Sequence, residues 1–188
     1  MSPASTILQK HSNLLFFSDR KSTTNFSNDK IFIKKNAQMT PEQFKKLLKT
    51  KQRQINQAYN RTLPVKVGTE AVKFVRENFR QEGFVDSKLE KWKPAKRKSD
   101  PKHPDRAYGT LLSRRNHLYK SVNKRASPGK AVVYTYVPYA AAHNEGTNNA
   151  GRGRKTRIPK RQFIGESKVL NERARGVITQ ELKKILND

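Results

Sequence analysis

Side chains able to perform acid–base or metal chemistry are few in this sequence, and their spacing does not suit it. The histidines are His11, His103, His117 and His143, and the chain contains no cysteine. His143 alone has a patterned context, with Glu145 two positions further on, which is not the i, i+4 histidine pair of zinc-binding helices. We interpret His143 as a hydrogen-bonding residue at a helix end or a subunit contact. The sequence predicts no metal site.

Signatures of nucleophilic catalysis and of phosphate binding are also missing from the sequence. It contains no G-x-S-x-G, no G-x-x-x-x-G-K-[ST] and no G-x-G-x-x-G. The carboxylates that a metal-dependent nuclease would need, Asp86, Glu90, Asp100 and Asp105, have no recognisable metal-ligand spacing. We therefore predict no catalytic residue, no bound cofactor and no enzymatic activity.

Positive charge is the strongest chemical signal of the chain. Of its 188 residues, 41 are Lys or Arg and 15 are Asp or Glu, which gives a formal net charge of +26. Such a surface attracts polyanions or acidic protein surfaces. A glycine-spaced tract carries the densest group of cations, namely Arg152, Arg154, Lys155, Arg157, Lys160 and Arg161. We expect this long basic loop to contact either an acidic protein partner or, without sequence specificity, DNA phosphates.

Composition also limits where the protein acts. The absence of cysteine excludes disulfides and fits a chain made in a reducing compartment. No apolar run approaches the ~18 residues of a membrane-spanning helix. The apolar residues between Ile7 and Phe17 are too interrupted by polar ones to form a secretory signal. We predict a protein that contacts no membrane and is not exported.

Helix signals begin at Thr40. Thr40 suits the N-cap position, Pro41 suits the first helical position, and Gln43 completes a T-x-x-Q capping box. The spacing of the apolar residues predicts one amphipathic helix to about Asn60. These residues are Phe44, Leu47, Leu48, Ile55, Ala58 and Tyr59.

A second helix is predicted after Leu63-Pro64, with Val67, Ala71, Phe74, Val75 and Phe79 facing inward. Gly83 is the expected left-handed residue at its end. Residues 85–104 are polar and proline-rich, which predicts a loop.

The clearest strand is predicted at residues 131–137, which are β-branched and aromatic. We expect it to pair as a hairpin with residues 118–126. Because the strand is apolar on both faces, it needs cover from a helix and a neighbouring subunit. A short helix should open at Pro138, and a final amphipathic helix should carry the apolar residues from Leu170 to Ile185.

These elements predict an α+β fold, with amphipathic helices packed on a small antiparallel sheet. The domain extends over residues 39–188. Residues 1–38 are rich in Ser, Thr, Asn and Lys, and we expect an N-terminal extension there that is either ordered by a partner or flexible.

Five short motifs in order resemble the virion morphogenesis, or tail completion, family of tailed bacteriophages and prophages. The family pattern consists of W-x-P, a leucine pair, L-x-x-S, Y-A-x-x-H-x-x-G and I-P-A-R-x-F-L-G. In this chain the matching residues are Trp92 and Pro94, Leu111-Leu112, Leu118 with Ser121, Tyr139-Ala140 with His143 and Gly146, and Ile158-Pro159-Lys160-Arg161-Gln162-Phe163-Ile164-Gly165. The resemblance covers about residues 72–186. One departure stands before Leu118, where Asn116 replaces the usual glycine; asparagine tolerates the left-handed conformation that glycine would supply.

The resemblance implies a structural protein of the phage neck or tail top. Such a protein would be assembled in the host cytoplasm, form a homo-oligomeric ring, expected to be a hexamer, and complete the tail or join head to tail. Its partners would be the neighbouring neck, connector and tail-tube proteins, with non-specific DNA contact in the channel. The motif residues would be fold and interface determinants, namely Trp92, Pro94, Tyr139, Ala140, His143, Gly146, Ile158, Pro159, Phe163, Ile164 and Gly165.

One alternative is a basic RNA-binding structural protein of the ribosomal-protein type. Composition alone favours it, but basicity does not explain the ordered series of motifs.

Overall fold

The computed structural model describes residues 39–187, so the predicted extension at residues 1–38 lies outside the described residues. Helix α1 (Pro41–Gln57) begins at the predicted capping box. The backbone N–H of Thr40 donates to Gln43 Oε1 at 3.0 Å, and the backbone N–H of Gln43 donates to Thr40 Oγ1 at 3.3 Å. These reciprocal bonds satisfy two amide groups near the helix start that have no partner within the helix.

The two predicted helices are one continuous helical segment. A π-helical stretch (Ala58–Thr62) joins α1 directly to α2 (Leu63–Gln81). The N–H of Leu63 donates to the carbonyl of Ala58, five residues back. Pro64 explains this wide turn, since it has no N–H and its ring would clash with a carbonyl in regular α-helix. The predicted break is therefore a local widening of the helix.

Helix α2 ends one residue earlier than its glycine suggests. Glu82, with φ of 51°, takes the left-handed conformation that was expected of Gly83. Gly83 begins β1 (Gly83–Val85), which pairs with β2 (Leu89–Lys91). A Cβ atom on Gly83 would lie 2.6 Å from the carbonyl oxygen of Glu90. The glycine is thus required for close strand approach, and β2 lies inside the segment that was predicted to be a loop.

The remaining elements form a second and a third hairpin with short helices between them. They are α3 (His117–Ser121), β3 (Asn123–Ser127), β4 (Lys130–Tyr134), α4 (Ala140–Glu145), β5 (Thr147–Ala150), β6 (Thr156–Ile158) and α5 (Lys168–Asn187). Asn116, with φ of 50°, supplies the predicted left-handed turn before α3. The α+β class is confirmed, but residues 39–187 carry three separate two-stranded antiparallel sheets in place of one small sheet.

The core is built around α2. Phe74, Val75 and Phe79 are buried as predicted, and they pack with buried residues of the later elements: Phe84, Trp92, Leu111, Leu118, Val122, Val137, Ala140 and Phe163. Helix α5 lies along α2 and is fixed by Arg173, whose guanidinium donates to Glu77 at 2.7 Å. Lys51 Nζ donates to the carbonyl of Ile185 at 2.6 Å and so links α1 to the end of α5.

Candidate functional site

The motif residues from distant parts of the sequence meet in the core. The indole N–H of Trp92 donates to the carbonyl of Gln162 at 2.8 Å. Phe79 of α2 contacts the Trp92 ring edge-on, with centroids 5.8 Å apart, and lies 5.0 Å from the Phe163 ring. The W-x-P element and the I-P-x-R-x-F element thus form one packed unit on α2, which we call the motif cluster.

Asn144 joins the other motif segment to this cluster. Its side-chain oxygen accepts the backbone N–H groups of Phe163 at 2.9 Å and Ile164 at 3.0 Å. Asn144 follows His143 directly, yet it was not among the predicted site residues. Two positions of the family pattern flank it, but no local signal shows a bond to a residue about twenty positions away.

Arg161 is a structural residue of the motif cluster, which corrects the expectation that it belongs to an exposed basic surface. It is only 8% exposed. Its Nε donates to the carbonyl of Lys93 at 2.9 Å and its Nη2 to the carbonyl of Pro94 at 3.3 Å. Arg161 therefore ties the chain after Trp92 to β6.

Arg97 is a second cation used in this way, and sequence reasoning missed it. Its Nη2 donates to the carbonyls of Gly109, Thr110 and Leu112 at 2.6, 3.1 and 2.7 Å. Its guanidinium lies 5.1 Å from the ring centre of Tyr108. No carboxylate among residues 39–187 forms an ion pair with Arg97 or Arg161. Burial, followed by repulsion from Arg97, lowers the pKa of Arg161.

His143 lies beside these cations. Its carbonyl accepts the backbone N–H of Arg161 at 2.8 Å, while its Nδ1 is buried without a hydrogen-bond partner among the described residues. Burial lowers the pKa of His143, and the charges of Arg161 and Arg97 lower it further. The histidine is thus held toward its neutral form. Near the end of α4 it is the backbone of His143, through its carbonyl, that makes a hydrogen bond.

Other motif positions have clear backbone roles. Gly146, with φ of 78°, ends α4, and a Cβ there would lie 2.8 Å from the backbone nitrogen of Lys160. Ile158 pairs with Thr147 in the third hairpin. The other predicted positions around them are buried or half-buried (Ala140, Pro159 and Ile164) or exposed (Pro94 and Gly165).

The basic tract forms the tip of the third hairpin, where β5 pairs with β6. Arg154, with φ of 53°, and two positive-φ glycines close the turn. All of the residues from 151 to 157 are exposed, and so is Lys160. We call this feature the cationic hairpin; its outward charges are Arg152, Arg154, Lys155 and Arg157.

A second exposed feature follows β4. Tyr136 is 77% exposed and Tyr139 is 44% exposed. The Tyr136 ring lies 4.8 Å from that of Tyr134, and Tyr139 Oη lies 3.3 Å from His117 Nδ1. We call Tyr134, Tyr136 and Tyr139 the aromatic edge. Exposed aromatic side chains in a group are typical of protein contact surfaces.

Within residues 39–187, no group of three or more His, Cys, Asp or Glu side chains is placed to hold a metal ion. None of the helices described there is long and apolar enough to span a membrane. The candidate site therefore consists of a buried motif cluster and two exposed features, one cationic and one aromatic.

This layout is typical of a protein that acts by contact with other macromolecules, with its sequence motifs serving to hold the contact surfaces in place. Residues 39–183 match the family model of the phage virion morphogenesis family. The chain belongs to this family, and its role is in the structure or assembly of a phage particle.

A similar protein is the Mu-like prophage FluMu G protein 2 of Haemophilus influenzae. The two are 43% identical over 56 residues, which are 30% of this chain and 40% of that relative. The match thus spans less than half of the relative's length. No solved structure matches the chain.

Proposed function

We propose that this protein is a ring-forming subunit of the phage neck or tail top, which completes the tail or joins it to the head. The observation that carries the proposal is the uncovered outer side of the second hairpin. Among residues 39–187, strand β4 pairs with β3 alone, and the aromatic edge continues from it into exposed chain. A closed ring of identical subunits would cover this side in every copy.

The second hairpin needs this cover for physical reasons. Helix α2 packs closely on one of its faces, where Gly68 leaves room for Lys124 and Ala131. Val132 and Val133 are only half-buried. An isolated two-stranded sheet is marginally stable, and its free edge presents unpaired N–H and C=O groups. A neighbouring copy could pair with this edge and pack on Tyr134 and Tyr136.

The cationic hairpin suits the joining step. Its arginines project from an exposed turn and carry no ion pair in residues 39–187. Exposed charges of this kind steer and orient docking more than they stabilise a fold. We propose that they contact an acidic surface of an adjacent neck protein. The DNA in the central channel of the ring would be their second anionic partner.

The ring is tested by light-scattering mass and negative-stain microscopy of the purified protein. Tyr136→Asp should leave the fold intact, since the side chain is 77% exposed, and should reduce the assembled fraction at least about tenfold. Val65→Asp, at a position that is 47% exposed on α2, is the matched control and should still assemble. A wild-type protein that stays monomeric both in solution and in particles would refute the ring.

A further inference from the structure

Helix α1 carries a partly exposed apolar stripe on its first turns. None of its side chains is buried. Phe44 is 44% exposed and Leu48 is 51% exposed, while Leu47 is half-buried beside them. These three positions have the i, i+3, i+4 spacing that places side chains on one helix face. We call them the α1 stripe.

The stripe is confined to the first turns of the helix. Further along, Lys51 is bonded to the end of α5 through Ile185, and Ile55 is half-buried. Single exposed apolar residues are normal on a protein surface. A stripe with two large side chains about half exposed is different, because helices in proteins gain most of their stability from packing an apolar face.

Charge identifies the kind of occupant. Helix α1 carries one acidic residue, Glu42, against five basic ones: Lys45, Lys46, Lys49, Lys51 and Arg53. The preceding 38 residues are also mainly basic, with Lys10, Arg20, Lys21, Lys30, Lys34 and Lys35 against Asp19 and Asp29. An occupant of like charge is thus electrostatically unfavourable at this helix, and an acidic surface is favoured.

We propose that the α1 stripe docks into an apolar groove with an acidic rim on a different protein of the phage particle. Phe44 and Leu48 enter the groove, and the exposed Lys45 and Lys49 meet carboxylates at its rim. Insertion of an amphipathic helix into a groove is a common mode of recognition in which residues at i, i+3 and i+4 are the anchors. The proposal rests on the protein's proposed place in the particle, and it gives that particle a contact separate from the aromatic edge and the cationic hairpin.

Photo-crosslinking in assembled particles identifies the occupant directly. A benzophenone amino acid replaces Phe44, and the cross-linked peptides are determined by mass spectrometry. The same replacement at Val65, which is 47% exposed on α2, is the control. We expect cross-links from position 44 to a segment of another virion protein that is rich in Asp and Glu. The proposal would be overturned by cross-links to residues 1–38, to a second copy of the chain or to nucleic acid. It would also be overturned if the cross-linking yield at position 44 were no higher than at position 65.

Substitution separates this contact from ring formation. The double variant Phe44→Ser with Leu48→Ser should keep its helix content by circular dichroism and its ring by light scattering. Its incorporation into particles should fall at least about tenfold, as expected when anchor residues are lost, while Val65→Ser is incorporated normally. Normal incorporation of the double variant would refute the docking role of the stripe. A wild-type chain absent from particles would instead refute the proposed function.

Discussion

Asn144→Ala should be one of the most destabilising single changes outside the aromatic core. The Asn144 oxygen accepts two backbone N–H groups, those of Phe163 at 2.9 Å and Ile164 at 3.0 Å. Alanine removes both acceptors at once. Leaving a buried donor without a partner costs about 1–3 kcal/mol, so we expect a loss of about 2–4 kcal/mol in the free energy of unfolding.

Urea denaturation followed by Trp92 fluorescence measures this loss. Trp92 is buried in the motif cluster, so its emission reports on the region that Asn144 holds. With an m-value of about 1–3 kcal/mol/M, the midpoint should fall by roughly 1–2 M. Asn148→Ala, at an exposed asparagine of β5, is the matched control and should stay within about 0.5 kcal/mol of wild type.

Asn144→Asp distinguishes the loss of an acceptor from the loss of side-chain packing. Aspartate keeps an oxygen for the two N–H groups, so we expect it to retain most of the stability that alanine loses. The reasoning would be refuted if Asn144→Ala unfolded at the same urea concentration as Asn148→Ala. It would also be refuted if Asn144→Asp were as unstable as Asn144→Ala.

Three further outcomes are expected. The pKa of His143 is lowered in the folded protein, so as pH falls the histidine takes up its proton in the unfolded chain before it does so in the folded one. Above the ordinary pKa of 6.5 the neutral histidine therefore costs the folded state nothing. Stability is lost as pH falls from 6.5 through the folded-state pKa. This slope cannot exceed about 1.4 kcal/mol per pH unit, and His143→Gln should flatten it in denaturation curves measured from pH 7.5 to pH 5. Gly129→Ala should cost about 1–3 kcal/mol by the same urea assay, because Gly129 has φ of 65° and a Cβ there would lie 2.2 Å from Tyr59 Oη; unchanged stability would contradict the assigned turn. Charge reversal of the cationic hairpin should leave the melting temperature within a few degrees of wild type but abolish head-to-tail joining when infectious particles are counted; normal titres would show that its charges are not needed for docking. The three substitutions are Arg152→Glu, Arg154→Glu and Arg157→Glu.

Local chemistry in the sequence predicted the local structure well. The capping box at Thr40 and the inward face of α2 follow from interactions within four residues, and both are confirmed. The left-handed turn at Asn116 is another local feature that was correctly predicted. A second helix was predicted after Leu63-Pro64, but sequence alone could not tell a break between two helices from a π-helical turn, because the difference is one hydrogen-bond register.

Features that depend on distant partners were not predictable in this way. Glu82 takes the left-handed position because Gly83 is needed where β1 and β2 approach closely. The bonds of Asn144 and Arg97 join side chains to backbone carbonyls or amides well away in sequence, and neither residue type signals such a role. The motif positions were identified from a family pattern, but their convergence around Trp92 became visible only in the fold.

Arg161, which is buried, and Arg97, which is half-buried, change how the charge of this chain should be counted. Arg97 and Arg161 donate hydrogen bonds to backbone carbonyls of the chain itself. These bonds hold irregular segments in place where few apolar side chains are available. Arg161 donates from two different nitrogens of its planar guanidinium, Nε and Nη2, a geometry that a lysine ammonium does not reproduce. Part of the basicity therefore serves hydrogen bonding within the chain and is not fully available to a phosphate or an acidic partner. Replacing Arg161 with lysine would therefore weaken its hydrogen bonds to the carbonyls of Lys93 and Pro94, so its charge cannot be exchanged as freely as that of an exposed surface lysine.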